Sequence, residues 1–295
     1  MDGVLLVNKP AGPTSHDVVG RLRRTSGETR VGHTGTLDPR ATGLLPLVFG
    51  RATRLASRLT AHRKTYEADI QLGVATDTDD ADGAPIGEPR PVTADADAIG
   101  RALASFVGAI DQTPPRHSAK KIAGERAYDL ARRDEPVALA PVPVTVFELE
   151  DLGRTADRVR VRVTASSGFY VRALARDLGI ALGCGGHLAA LRRTVVGRFA
   201  LEQALSLADA ERLGPSVAQR LVPMSDALSD LPAVGLTDTG LTRVRHGNAA
   251  GPEHLALHAL PPPSAGEIRL LGPGGELVAL AHSRGGFLHP VLVVG

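Results

Sequence analysis

Tryptophan is absent from the 295 residues, cysteine occurs once, at Cys184, and aromatic residues make up only 3% of the chain. A single cysteine excludes an internal disulfide and any zinc or iron–sulfur site built from several cysteines. It fits a reducing compartment. With so few aromatics, and 43% hydrophobic residues overall, the core has to be assembled from Val, Leu, Ile and Ala. The apolar run Val4-Leu5-Leu6-Val7 is too short for a signal peptide or a membrane span and has no basic leader, so the expected location is the cytoplasm. Also missing are a P-loop and a Rossmann glycine signature in the strand-to-helix context that either requires.

Charge is present in quantity but is unevenly placed. A formal net charge of +2 conceals eleven Lys/Arg against four acids in residues 1–65, and seven acids against Arg90 alone in residues 71–100. Segregation of this kind lets a nearly neutral protein hold a polyanion on one face, although solvated helix surfaces give the same tally.

Local patterns predict the elements. Val4 to Val7 reads as a buried strand stopped at Lys9-Pro10-Ala11-Gly12-Pro13, after which Thr14 or Ser15 caps a helix with Val18, Val19 and Leu22 inward. Tyr66 to Leu72 and Arg158 to Val163 alternate with period two, which predicts half-buried strands, the second displaying an arginine ladder. From Tyr170 to Leu182, Val171, Leu174, Ala175 and Leu178 recur at helical spacing, leaving Arg172 and Arg176 one turn apart and directed away from the core. Residues 200–230 read as a further helical stretch. Beyond Leu231-Pro232 the chain changes to short Val/Leu runs punctuated by Gly and Pro, predicting a domain boundary near residue 232 and a small β-rich domain after it.

The densest block is Gly32-His33-Thr34-Gly35-Thr36-Leu37-Asp38-Pro39-Arg40-Ala41-Thr42-Gly43-Leu44-Leu45-Pro46, too rich in Gly and Pro to be one regular element and therefore a shaped loop. By residue type alone Asp38 before Pro39 is a turn residue, His33 a polar loop residue, Arg172 a surface arginine, and Tyr66 a core tyrosine on one face with Ala68, Ile70 and Leu72. The Cys184/His187 pair lacks further zinc ligands and reads as part of a Gly-rich turn, and the acids Asp77 to Asp82 read as a solvated turn rather than a cation site.

The glycine-rich block resembles the signature of the TruB-type pseudouridine synthases. Three further blocks are similar to that family's motifs and follow in its order: Gly3 to Gly12 with Lys9-Pro10; Lys64-Thr65-Tyr66 with Leu72 to Gly83; and Gly168-Phe169-Tyr170-Val171-Arg172 through Asp177-Leu178-Gly179, Gly185-Gly186-His187-Leu188 and Leu191-Arg192-Arg193. Together they span residues 3–200, and four in register make chance a poor explanation. What the resemblance implies is an isomerase that turns a uridine of the transfer RNA T-loop into pseudouridine, with no cofactor and no metal. It makes Asp38 the catalytic carboxylate and Arg172 the cation that keeps it ionised. It has Tyr66 stack on the extruded base and take part in proton transfer, Tyr170 and Leu191 line the pocket, His33 fill the space left in the RNA, and Lys9 serve substrate binding.

The same resemblance implies an α/β (α+β) catalytic domain with a largely antiparallel mixed central sheet over residues 1–232, and a PUA-like RNA-binding β domain over 233–295. An RNA-facing insertion is expected near 114–133, where His117 stands in place of a larger stacking residue. The partner is the T-stem-loop of transfer RNA, the protein acting as a monomer away from membranes. Two alternatives remain: a relative that works under a guide RNA, disfavoured by the first motif beginning at Gly3, and a transfer-RNA folding chaperone.

Overall fold

The computed structural model describes residues 1–116, 121–122, 125–126, 139–257, 261–262, 264 and 266–295. The expected contact of His117 and most of the insertion lie outside them. In the first third of the chain the elements are β1 (Gly3–Lys9), α1 (Ser15–Ser26), β2 (Val31–His33), β3 (Thr42–Phe49), α2 (Ala56–Ala61), β4 (Lys64–Leu72), β5 (Ala75–Thr76), β6 (Pro85–Ile86) and α3 (Ala96–Ala104). Then come β7 (Gly108–Gln112), β8 (Lys121–Ile122), β9 (Glu125–Arg126), β10 (Val142–Arg154), β11 (Arg158–Ala165), α4 (Val171–Ala181), β12 (Gly186–Val196), β13 (Phe199–Ala200) and β14 (Leu205–Ser206). The remainder holds α5 (Leu207–Leu213), α6 (Met224–Ala227), β15 (Ala233–Gly235), α7 (Asp238–Arg245), β16 (Glu267–Leu271), β17 (Leu277–Arg284) and β18 (Phe287–Val293).

Two compact units account for these elements. One comprises Met1–Pro39, Leu44–Thr60 and Arg198–Gly295; the other comprises Arg40–Gly43 and Ala61–Gly197. In the first, strands run in the order β14-β1-β3 with β2 on β3, and β1 lies parallel to β14. In the second, the order β12-β4-β11-β10-β7 is antiparallel throughout, while Thr42 and Gly43 at the start of β3 pair parallel with Arg192 and Arg193 of β12. The mixed, largely antiparallel character that the family resemblance implies is therefore present.

Helix α1 begins where Thr14 and Asp17 form a reciprocal capping box, and it buries Val18, Val19 and Leu22. Strand β4 buries Ala68, Ile70 and Leu72 while Glu67, Asp69 and Gln71 stand opposite Arg162, Arg160 and Arg158 of β11. On that outer face Arg162 binds both Glu67 and Glu150, at 3.1 and 2.8 Å, and Arg160 binds Glu67 at 3.0 Å. Arg162 first, and Arg160 with it, hold the Glu67 carboxyl below its ordinary range. These exposed pairs are screened by solvent, so the lattice sets charge more than stability. Beneath it the aliphatic core of this unit packs β4, β10 and β11 against Leu174 and Leu178 of α4 and Ile99 and Leu103 of α3.

The C-terminal sheet, β15-β16-β17-β18, has its own apolar cluster, including Leu236, Val244, Ile268, Leu270, Val278 and Leu288. A small β domain is thus present where the change of texture predicts one. Residues 200–230 depart from the expected helical stretch. Gly214 takes φ +53° ahead of Pro215, and Pro223 follows, so the segment breaks into α5, a 3-10 turn over Gly214–Arg220 and the single turn α6.

Candidate active site

The loop between β2 and β3 carries Asp38, and its two neighbours are fixed from below. Ser15, the first residue of α1, donates its hydroxyl to the Leu37 carbonyl at 3.0 Å and accepts from the Leu37 amide at 2.8 Å. On the other side the Pro39 carbonyl accepts from the Gly12 amide at 2.9 Å and from Lys9 Nζ at 3.0 Å. Lys9 is 0% exposed and also donates to the Pro10 carbonyl at 2.9 Å. A buried ammonium needs such acceptors, so the Lys9-Pro10 pair acts as a post holding the loop. Leu37 is buried, and Asp38 between the two anchors is half-buried. His33, at the end of β2, accepts the Gly35 amide on Nδ1 at 3.3 Å, which leaves Nε2 as the protonated ring nitrogen.

A second group lies in the other unit. Tyr66 on β4 stands directly across from Arg193 of β12. Arg193 is 1% exposed, and its side chain hydrogen-bonds Tyr66. Burial pushes the guanidinium pKa down, and the charge and hydrogen bond of Tyr66 oppose that push. Tyr66 and Leu191 are half-buried at the edge of the aliphatic core. Gly43 pairs with Arg193 at φ +100°, so close that an added methyl group would overlap the Arg193 backbone.

Lys64, on the same face of β4 as Tyr66, is lowered from 10.5 to about 8, by burial first and then by Arg193; its Nζ donates to the His62 carbonyl at 2.7 Å. Between those two pH values the unfolded chain holds a proton on Lys64 that the folded chain releases. Stability from this group therefore rises as pH climbs from about 8 to 10.5 and is lost on the way down. Urea midpoints measured across that window should show the slope, and Lys64→Met should flatten it.

Tyr170 caps α4, its backbone amide and carbonyl both bonded to the buried Gln112 side chain at 2.8 and 3.1 Å. Two residues on, Arg172 is 8% exposed, donates to the Thr78 carbonyl at 3.2 Å and lies 3.6 Å from Asp80. Arg176, a turn later, pairs with Asp79 at 3.0 Å and donates to the Thr113 carbonyl at 2.8 Å. Arg40 pairs with Asp82. Burial raises the Asp79 carboxyl against the pull of Arg176, and Asp79 alone among described non-glycine residues has positive φ, at 61°. Asp79 and Asp80 thus hold Arg176 and Arg172, while Asp77 and Asp82 stay exposed as the composition of a solvated turn suggests. Removing one carboxylate should loosen Arg172; if Arg172 serves the chemistry that the family resemblance implies, Asp80→Asn lowers turnover about 30-fold with RNA affinity within about threefold, as measured by single-turnover kinetics and filter binding.

Arg193 is the site residue that motif and periodicity leave without a role, although Leu191 and Arg193 alternate on one strand face and that spacing is the available signal. Among the described residues no His, Cys, Asp and Glu cluster is arranged to hold a metal, and no helix is long and apolar enough to cross a membrane. His187 Nδ1 bonds the Val74 carbonyl at 2.8 Å and Cys184 bonds Gly185, as a structural turn would.

Residues 23–171 match the family model for the TruB family pseudouridylate synthase N-terminal domain, and residues 172–229 match that for the tRNA pseudouridylate synthase B C-terminal domain. The tRNA pseudouridine synthase B of Dechloromonas aromatica is 42% identical over 100% of this chain and 96% of its own length. That of Thermobifida fusca is 44% identical over 99% and 98%.

The chain belongs to the TruB family of pseudouridylate synthases.

Solved structures agree with that membership. A chain in an H/ACA RNP bound to a substrate RNA containing 2′-deoxyuridine superposes with a TM-score of 0.76 at 26% identity, covering 99% of this chain and 85% of that one. A chain of a Cbf5-Nop10-Gar1 complex gives 0.75 at 28%, with 99% and 85% covered.

Proposed function

We propose that this TruB-family enzyme isomerises a uridine in the T-loop of transfer RNA to pseudouridine, with Asp38 as its essential carboxylate. The observation that carries the reading is the double anchoring of Leu37 and Pro39 around a half-exposed Asp38, since a carboxylate that acts at a sugar carbon must be held in place before substrate arrives. In the reaction the N1–C1′ bond breaks, the uracil turns, and a C5–C1′ bond forms; C5 gives up a proton and N1 takes one. No electron is gained or lost, so no redox cofactor is called for.

Asp38 acts at the ribose as positive charge develops there, either as nucleophile or by assisting elimination. Arg172 is the cation that the family resemblance assigns to this carboxylate. A stacked T-loop uridine has to be extruded first, at a cost of a few kcal/mol. Tyr66 is assigned the face that receives the base and a part in moving the C5 proton, Tyr170 and Leu191 the walls, and His33 the space vacated in the RNA. Lys9 serves the substrate through the loop it holds. Residues 1–232 form the catalytic domain in this reading and 233–295 a PUA-like RNA-binding domain, the whole working as a cytoplasmic monomer.

Purified protein alone, given an unmodified T-arm hairpin, should yield pseudouridine at the T-loop position. Product only on addition of a guide RNA would replace this reading with the guide-dependent one. Faster annealing of transfer RNA with no product would leave a folding chaperone.

A further inference from the structure

Arg193 and Gly43 occupy one point of the second unit. Strand β12 is paired there on both sides, with Tyr66 of β4 and with Gly43 of β3, and the Arg193 guanidinium is taken almost wholly out of water to meet the Tyr66 phenol. Desolvating a guanidinium is costly, and an apolar side chain of similar length would fill the same space without that cost. The arrangement makes sense where the position of the phenol matters. A tyrosine ring at the edge of an apolar core has two torsions free; a hydrogen bond at its far end, from a rigid planar donor, removes most of that freedom.

We propose that Arg193 is a positioning residue for the isomerisation, fixing through its hydrogen bond to the phenol oxygen the plane of the Tyr66 ring on which the extruded uracil turns. The proposal rests on the reading of Tyr66 given above. Arg193 acts through Tyr66 and has no need to touch the RNA, which separates it from the arginines that meet phosphates.

The test is a double-mutant cycle on the full-length protein with a T-arm hairpin, read as single-turnover rate and as hairpin Kd. Arg193→Met should slow turnover about 100-fold with Kd within about threefold, and Arg193→Lys should recover about tenfold of that loss. In a Tyr66→Phe background, where no phenol oxygen is left to hold, Arg193→Met should cost less than about threefold more. Losses that multiply in the double variant, or an Arg193→Met enzyme within threefold of the parent, would overturn the proposal. Should Arg193→Met fail to fold, Arg193→Lys takes its place in the cycle and the same two outcomes count against the proposal. Should Tyr66→Phe turn over too slowly to time, the tyrosine near-ultraviolet spectrum decides, since the chain has three tyrosines and no tryptophan. An unchanged tyrosine band in Arg193→Lys then counts against the proposal, and a shifted one for it. A Tyr66→Phe enzyme as fast as the parent would instead remove Tyr66 from the chemistry, whatever the Arg193 variants do.

Discussion

Asp38→Asn is expected to reduce pseudouridine formation by about 10⁴-fold or more while leaving affinity for the T-arm within about tenfold. The substitution keeps the size and shape of the side chain, removes its negative charge and turns one acceptor oxygen into an NH2 donor. Leu37 stays tied to Ser15, and Pro39 to Gly12 and Lys9, because none of those bonds involves the carboxylate. In the proposed reaction, what disappears is the negative charge that meets the developing cation at C1′, an interaction stronger in the transition state than in the ground state. RNA affinity, resting mainly on phosphate contacts, should barely register the loss. Near-parental turnover in that variant would dismiss Asp38 from its role.

Gly43→Ala, a single added methyl group at the start of β3, should be strongly damaging. Gly43 combines φ +100° with a backbone approach to Arg193 that leaves no room for a Cβ, and the atoms it would meet are main chain, which cannot swing aside. The β3–β12 pairing at Gly43 must open, at a cost of about 3 kcal/mol in stability. Because Arg40 to Thr42 lead directly from Asp38 into that pairing, a shift of about 1 Å follows in the loop and turnover should fall about 100-fold. Urea midpoints and single-turnover rates measure the two effects separately, and a variant that matches the parent in both would show that the close approach relaxes freely.

How far the sequence can be read varies with the range over which each element is determined. Helix α1 is legible because its capping residues and the spacing of Val18, Val19 and Leu22 lie within a dozen positions of one another. Strands β4 and β11 are legible from alternation, and the register that puts Arg162 opposite Glu67 keeps both polar faces on one side. The arginines of α4 are visible as a pair one turn apart, but their acceptors lie in a distant acidic turn, so Asp79 and Asp80 look solvated until the chain is folded. Arg193 is the extreme case. In the sequence it stands only as the last residue of the Leu191-Arg192-Arg193 motif, and the pairing of β12 with strands from two other parts of the chain buries it. Local patterns also overstate order in residues 200–230, where apolar spacing suggests helix and Gly214, Pro215 and Pro223 interrupt it.

The outer face of β4, β10 and β11 bears on how a polyanion is met. There each guanidinium of Arg160 and Arg162 is already committed to Glu67 or Glu150, so an approaching phosphate finds as much repulsion as attraction. At Arg160 and Arg162 the ladder offers a passing phosphate charges that already have partners, so a row of arginines along a strand is not by itself a nucleic-acid track.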